Sequence, residues 1–180
     1  MTKRVLCLVA DGVEELELIA PVDVLRRAGA EVVLAAVGEG IHVTGRNDLV
    51  LHADQTLDAV QAEDFDLLFI PGGAAVAGLR ADGRPAVLAQ SFVQAGKPVA
   101  AICAGPLVLA DAGLLEGKRF TAHFSVVNEL PAAQTGERVV EDGLIITSRG
   151  AGTALEFGLA LVDRLFGEAQ EEEIARAIMA

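Results

Sequence analysis

A three-layer α/β/α sandwich with a mostly parallel central sheet is the fold this sequence predicts, and three observations carry the prediction. Apolar runs recur as candidate buried strands at residues 4–10, 31–37, 66–70 and 98–102. Stretches with helical spacing separate them, and that alternation builds a parallel sheet covered on both faces. The run at 98–102 stops abruptly at Cys103, and a helix begins directly behind it. Strand, tight turn and helix in that order set the cysteine at a nucleophile elbow.

In chain order, residues 4–10 (RVLCLVA) read as a buried strand, and 15–28 (ELELIAPVDVLRRA) as a helix that Gly29 stops. The strand at 31–37 is followed by short extended pieces at 41–44 and 49–51 and a short helix at 57–62. The strand at 66–70 (DLLFI) ends in Pro71-Gly72-Gly73. A helix at 85–95 leads to the elbow strand at 98–102. The elbow helix spans 107–115, with Pro106 in its first turn, where a missing N–H costs nothing. A short strand is expected at 119–122, then a hairpin of 138–141 and 144–147 turning at Asp142-Gly143. Helices at 152–166 and 168–179 close the chain. Residues 1–180 read as one domain, without internal repeat, low-complexity segment or linker.

Composition excludes several classes of function. Hydrophobic residues make up 52% and charged residues 22%, which fits a globular rather than a disordered chain. No apolar run approaches the ~20 residues of a membrane helix, and 5–10 is too short for the core of a signal peptide, so the expected compartment is the cytoplasm. The net charge is −12, and no basic cluster exceeds pairs such as Arg26-Arg27, which speaks against nucleic acid and anionic membranes as partners. Two cysteines, Cys7 and Cys103, do not make a disulfide framework. Glu168, Glu171, Glu172 and Glu173 suit a solvated helix N-terminus.

In a parallel α/β sheet the ligand site lies beyond the carboxyl ends of the strands. Three loops leave those ends, at 11–17, 71–74 and 103–105, and they are expected to meet. Cys103 at a helix N-terminus is placed for thiolate chemistry. Glu14 and Glu15 suit the first turn of a helix, whereas Glu17 lies among Leu16, Leu18 and Ile19 and so can face the crevice. Protonated in a poorly solvated pocket, Glu17 would donate to a thiolate; ionised, it would oppose one. The N–H groups of Gly72, Gly73 and Ala104 can form an oxyanion hole. His123 is a candidate partner for the cysteine. His42 and His52 read as surface or strand residues; three dispersed histidines and two distant cysteines offer no metal site. No phosphate-loop pattern is present, which argues against a nucleotide cofactor.

Several long motifs in order then resemble the DJ-1/PfpI superfamily, of the class I glutamine-amidotransferase-like, flavodoxin-like fold, and within it the DJ-1 branch with its bacterial homologues. They are Gly12-Val13-Glu14-Glu15-Leu16-Glu17, the segment from Pro21 to Gly29, Pro71-Gly72-Gly73, Ala100-Ala101-Ile102-Cys103-Ala104-Gly105-Pro106, and the segment from Thr147 to Thr153. The resemblance implies Cys103 as an oxidation-prone nucleophile and Glu17 as a protonated carboxyl on its sulfur. It places the Gly73 and Ala104 amides around the sulfur and His123 nearby, with Arg26, Arg27 and Arg149 at basic positions near the site and a dimer interface. Arg46-Asn47 lies where relatives place an arginine that reaches the partner subunit's site. Phe124 stands where the branch often has proline. The chain ends at Ala180, so any pocket wall that a further C-terminal helix supplies in other members is expected to be absent or replaced.

The activity implied is cofactor-free conversion of a small aldehyde or dicarbonyl, methylglyoxal to lactate, also described as deglycation, by a homodimer that uses neither metal nor glutathione. Arg46 and Arg27 are candidate substrate-binding residues. The alternative is an oxidative-stress sensor or chaperone working through Cys103 oxidation. Peptidase activity fits less well, because His123 has no orienting carboxylate beside it in sequence.

Overall fold

The computed structural model describes residues 2–180. Its seven-stranded sheet contains β1 (Arg4–Val9), β2 (Glu31–Ala36), β5 (Gln55–Thr56), β6 (Leu67–Ile70), β7 (Val99–Ile102), β8 (Val139–Asp142) and β9 (Ile145–Ser148). Their spatial order is β5-β2-β1-β6-β7-β9-β8. All pairs are parallel except β8 with β9. The chain builds outward from β1 through β2 to β5 and then returns to β6 on the other side. The topological switch point, where α/β folds place their ligands, therefore falls between β1 and β6. β3 (His42–Thr44) and β4 (Val50–His52) form a separate antiparallel ribbon.

The helices are α1 (Glu15–Arg27), α2 (Ala75–Asp82), α3 (Arg84–Gln94), α4 (Pro106–Asp111), α5 (Ala154–Phe166) and α6 (Glu168–Ile178). The layered sandwich expected from the sequence is the observed one. Leu67 to Ile70 and Val99 to Ile102 are fully buried, as central parallel strands require. Phe69 meets Phe157 of α5 edge to face, with centroids 5.7 Å apart. α1 and α5 pack closely because Gly158 has no side chain; a Cβ there would stand 2.7 Å from Val24 Cγ2 and 2.8 Å from Pro21 Cα.

Several elements differ from expectation. α4 stops at Asp111 rather than 115, because Gly113 takes φ +69° and Leu114 N–H turns back to Leu109 O at 2.9 Å, a glycine stop of the helix. Residues 119–122 join no ladder. Arg119 N–H donates to Asp142 Oδ2 at 3.0 Å and Thr121 N–H to Thr147 Oγ1 at 2.9 Å, since β9 already has β7 and β8 on its two edges. The hairpin turns on Gly143-Leu144, one residue later than expected, with Asp142 paired to Ile145. The helix expected at 57–62 is two separate 3-10 turns, Leu57–Ala59 and Ala62–Asp64, parted by extended Val60. α2 has no counterpart in the sequence reading; it buries Ala75, Val76 and Leu79 and is closed by Gly83 at φ +79°. Among the described residues, no helix is long and apolar enough to cross a membrane.

Candidate active site

Three loops leave the carboxyl ends of β1, β6 and β7 and converge. Val13 bridges Gly73, Ala75 N–H donates to Gly12 O at 3.1 Å, and Glu14 N–H to Gly72 O at 3.3 Å. The Glu14 side chain caps α1 by accepting from Glu17 N–H at 2.9 Å, which fixes the turn that carries Glu17. Pro21, four residues on, offers no N–H to the Glu17 carbonyl, so this first turn lacks one helical bond.

Cys103 follows β7 with φ +63°, a left-handed conformation that costs a non-glycine residue on the order of 1–3 kcal/mol. The surroundings hold it there. Its N–H donates to Ser148 O and its carbonyl accepts from His123 N–H, each at 2.9 Å. A Cβ at Gly105 would stand 2.7 Å from Ile70 O, so the turn leaving the elbow has no room for a side chain. The cysteine is half-buried and opens into a cavity of about 670 Å³ whose lining includes Glu14, Glu17, Arg46, Gly73, Ala104 and His123.

The Glu17 side chain is 1% exposed. Its Oε2 accepts from Gly72 N–H at 3.1 Å, and it faces the Cys103 thiol. A Cβ at Gly72 would lie 2.4 Å from Glu17 Oε2 and 2.7 Å from Cys103 Cβ, so the two side chains meet across a position only glycine can fill. Burial, with a contribution from the Glu14 charge, pushes the Glu17 carboxyl up to about 7, against hydrogen bonds that favour its anion. Burial and the adjacent Glu17 charge push the Cys103 thiol up to about 12, although the Gly73 and Ala104 N–H groups favour the anion on sulfur. Two negative charges cannot be accommodated side by side in so dry a pocket. Burial and the Glu17 charge thus act against the thiolate that the helix terminus is expected to favour, while the Gly73 and Ala104 N–H groups act for it. α4 has only six residues. The arrangement can pass a proton from sulfur to the Glu17 carboxylate at the moment the sulfur attacks.

Of the three expected backbone donors, Gly73 and Ala104 address the sulfur while Gly72 is committed to Glu17. His123 lines the cavity. Its Nδ1 accepts from Ser125 N–H at 3.2 Å and lies 2.8 Å from the Ser125 hydroxyl, which leaves Nε2 as the free edge of the ring. The ring also lies against Phe124, centroids 4.1 Å apart, and Phe124 is 72% exposed.

Arg46 stands on the rim of the cavity. Arg27 does not; it pairs with Asp23 at 2.7 Å and borders a separate surface depression with Leu16, Ile19 and Ile178. Arg26 lies 3.7 Å from Asp54.

Two positions escaped the sequence reading. Glu15, expected only to suit the helix dipole, is buried and grips the rim loop; its Oε1 accepts from Asn47 N–H at 2.7 Å and its Oε2 from Asn47 Nδ2 at 2.8 Å. Those bonds hold its carboxyl below the usual range against its burial. Ala151 N–H supplies a further donor to Glu17. A polar Asn inside the glycine-bounded turn at 45–48 was the one available signal for the first, and nothing in the sequence marked the second. His42 and His52, ten residues apart, face each other across the β3–β4 ribbon with centroids 4.4 Å apart. Among the described residues, no three or more His, Cys, Asp or Glu are grouped as a metal site.

Comparison with known proteins agrees with this geometry. The DJ-1/PfpI family pattern matches residues 3–164. The chain is 39% identical over 181 residues to Protein DJ-1 homolog B of Arabidopsis thaliana, covering 99% of this chain and 41% of that protein, so it spans about two fifths of that relative's length. It is 36% identical over 152 residues to Deglycase TK1284 of Thermococcus kodakarensis, covering 83% and 91% of the two. Its structure superposes on oxidized DJ-1 of Toxoplasma gondii with a TM-score of 0.93 at 34% identity, covering 99% and 98%. On the strength of the elbow, the paired glutamate and these matches, the chain belongs to the DJ-1/PfpI family.

Proposed function

We propose that the protein is a cofactor-independent cysteine enzyme acting on small reactive dicarbonyls, converting methylglyoxal to lactate in the manner of a glyoxalase III or a deglycase. The observation that carries this reading is the buried Glu17 carboxyl, raised to about 7, set against Cys103 at the elbow. A base with that affinity for protons is matched to neutral pH. Cys103 sulfur adds to the aldehyde carbon as its proton passes to Glu17, giving a hemithioacetal whose oxygen the Gly73 and Ala104 N–H groups stabilise. Glu17 returns that proton to the hemithioacetal oxygen and is again a carboxylate. The C1 proton is then carried to C2 by Glu17 or by the free edge of His123, while the hydroxyl proton on the C1 oxygen moves to the C2 oxygen. This leaves a lactoyl thioester, which water hydrolyses to lactate and the free thiol. A deglycase name on a relative 36% identical supports the same class of substrate. Peptidase chemistry fits less well, because the His123 ring is oriented by Ser125 and not by a carboxylate.

The reading includes a cytoplasmic homodimer. Leu16, Ile19 and Leu155 lie 61%, 45% and 40% exposed at or beside the depression that Arg27 borders, an apolar face suited to a second copy.

The test is lactate formation from methylglyoxal by reduced, metal-stripped protein, with Cys103→Ala prepared in parallel. Turnover without glutathione that disappears in the variant is expected. A folded protein that makes no lactate while Cys103 still oxidises readily would favour the second reading, an oxidation sensor. That reading draws on the same half-buried sulfur with Glu17 beside it to hydrogen-bond an added oxygen.

A further inference from the structure

A second cavity, of about 450 Å³, lies beside His123. It shares His123 and Ala151 with the cavity that holds Cys103, so the two adjoin at these residues. Packing there is tight, since a Cβ at Gly150 would stand 3.3 Å from His123 Cδ2. The two cavities differ in charge. Glu14 and Glu17 line the one with the cysteine, whereas no acidic side chain lines the second. Its polar side chains are His123, Thr135, Arg149 and Thr153, the last with its hydroxyl already bonded to Ser148 and Gly150, beside the apolar Phe124 and Ala122.

Arg149 belongs, with Arg46, Arg119 and Arg176, to the minority of arginines that no carboxylate pairs among the described residues. With 26 acidic residues against 14 basic ones, most arginines have found a carboxylate: Arg80 meets Asp111 and Glu129, Arg84 meets Asp82 and Asp58, and Arg138 meets Glu156. Arg149, half-buried, has no carboxylate partner among the described residues. Its guanidinium makes one hydrogen bond, from Nη1 to Gly136 O at 2.9 Å, and its other donors are uncommitted. It also adjoins Ser148, whose carbonyl holds the Cys103 N–H, so the cation is tied through two backbone contacts to the position of the nucleophile.

We propose that this second cavity is a subsite for the carboxylate tail of the carbonyl substrate, with Arg149 as the group that receives it. A guanidinium fork suits a planar carboxylate in shape as well as charge. The preferred substrates are then aldehydes or dicarbonyls that carry a carboxylate a few carbons from the reacting carbonyl, while methylglyoxal fills only the Cys103 cavity. The assignment refines the function proposed above and rests on Cys103 being the reacting atom.

The experiment uses binding rather than turnover, so that it stands or falls independently of lactate formation. Alkylation of Cys103 by iodoacetamide is followed in the presence of levulinate, a ketone with a carboxylate tail, and of 2-pentanone, its neutral counterpart. Cys7 is fully buried and does not contribute. Each variant is scored against its own rate without competitor. Levulinate is expected to protect the wild type at concentrations at least tenfold lower than 2-pentanone. Arg149→Gln should lose that preference and Arg46→Gln should keep it. As a measurement independent of any variant, levulinate titrated into the wild type is expected to shift the backbone amide signals of Thr135, Arg149 and Gly150 most. Equal protection by the two ketones, a preference that survives Arg149→Gln, or shifts confined to Arg46 and Asn47 would each overturn the proposal.

Discussion

Glu15 and Glu17 stand two residues apart in the first turn of α1, both buried, yet the fold turns them to opposite uses. At the rim, Glu15 receives two hydrogen bonds from Asn47, and those donors keep it ionised. In the pocket, Glu17 has Gly72 N–H and Ala151 N–H, but it also faces a cysteine and the Glu14 charge, and burial prevails. One carboxylate therefore fastens a loop, and the other exchanges a proton near neutrality. Depth and donor supply together decide between them. Both are shielded from solvent, but Glu17 lies deeper in the protein and beside the Glu14 charge, whereas Glu15 sits at the rim with Asn47 as its donor.

Substitutions can break this comparison or sharpen it. Glu17→Gln removes the proton acceptor and should lower kcat for methylglyoxal by about 10²–10⁴-fold, the range for loss of a general base, read as lactate production. The same variant should be more stable than wild type at pH 8 by up to about 3 kcal/mol, since a carboxyl raised to about 7 resists ionisation in the folded state and ionises near 4.3 in the unfolded chain. The sign follows from proton binding. Between those values the folded protein holds the extra proton, so wild-type stability falls as pH rises, and thermal melts of the two proteins should converge below about pH 4. Gly72→Ala forces a methyl between Glu17 Oε2 and Cys103 Cβ and should cost about 1–3 kcal/mol on denaturant titration, with loss of turnover as well. Glu15→Gln is expected to act least on chemistry. It loosens the Arg46 loop, raising KM several-fold with kcat little changed. Because the Glu15 carboxyl is held low, wild type should also lose more stability than this variant as pH falls below the ordinary carboxyl range.

Much of the site was legible in the sequence because local chemistry and topology agree there. The elbow announces itself as an apolar run that ends at cysteine and restarts as a helix. Pro71-Gly72-Gly73 and Glu17 lie at strand ends that a parallel sheet must bring together. Legibility failed where long-range partners decide. The Glu15 clasp depends on Asn47, which reaches it only through the β3–β4 ribbon. The strand expected at 119–122 has suitable residues, but the neighbouring strand has no free edge to offer. His42 and His52 look unrelated until the ribbon's register makes them neighbours. The balance of charge at Cys103 depends on the assembled core for a similar reason. A helix terminus is visible in sequence, whereas the depth of burial that opposes it is a property of the assembled core.

The central claim is that Glu17 and Cys103 compete for negative charge in one dry pocket. It is tested most directly by the pH dependence of Cys103 alkylation in wild type and Glu17→Gln. With the neighbouring charge removed, the thiol should ionise at clearly lower pH than in wild type, where it is pushed to about 12. An ionisation that stays in place, or moves upward, would contradict the account.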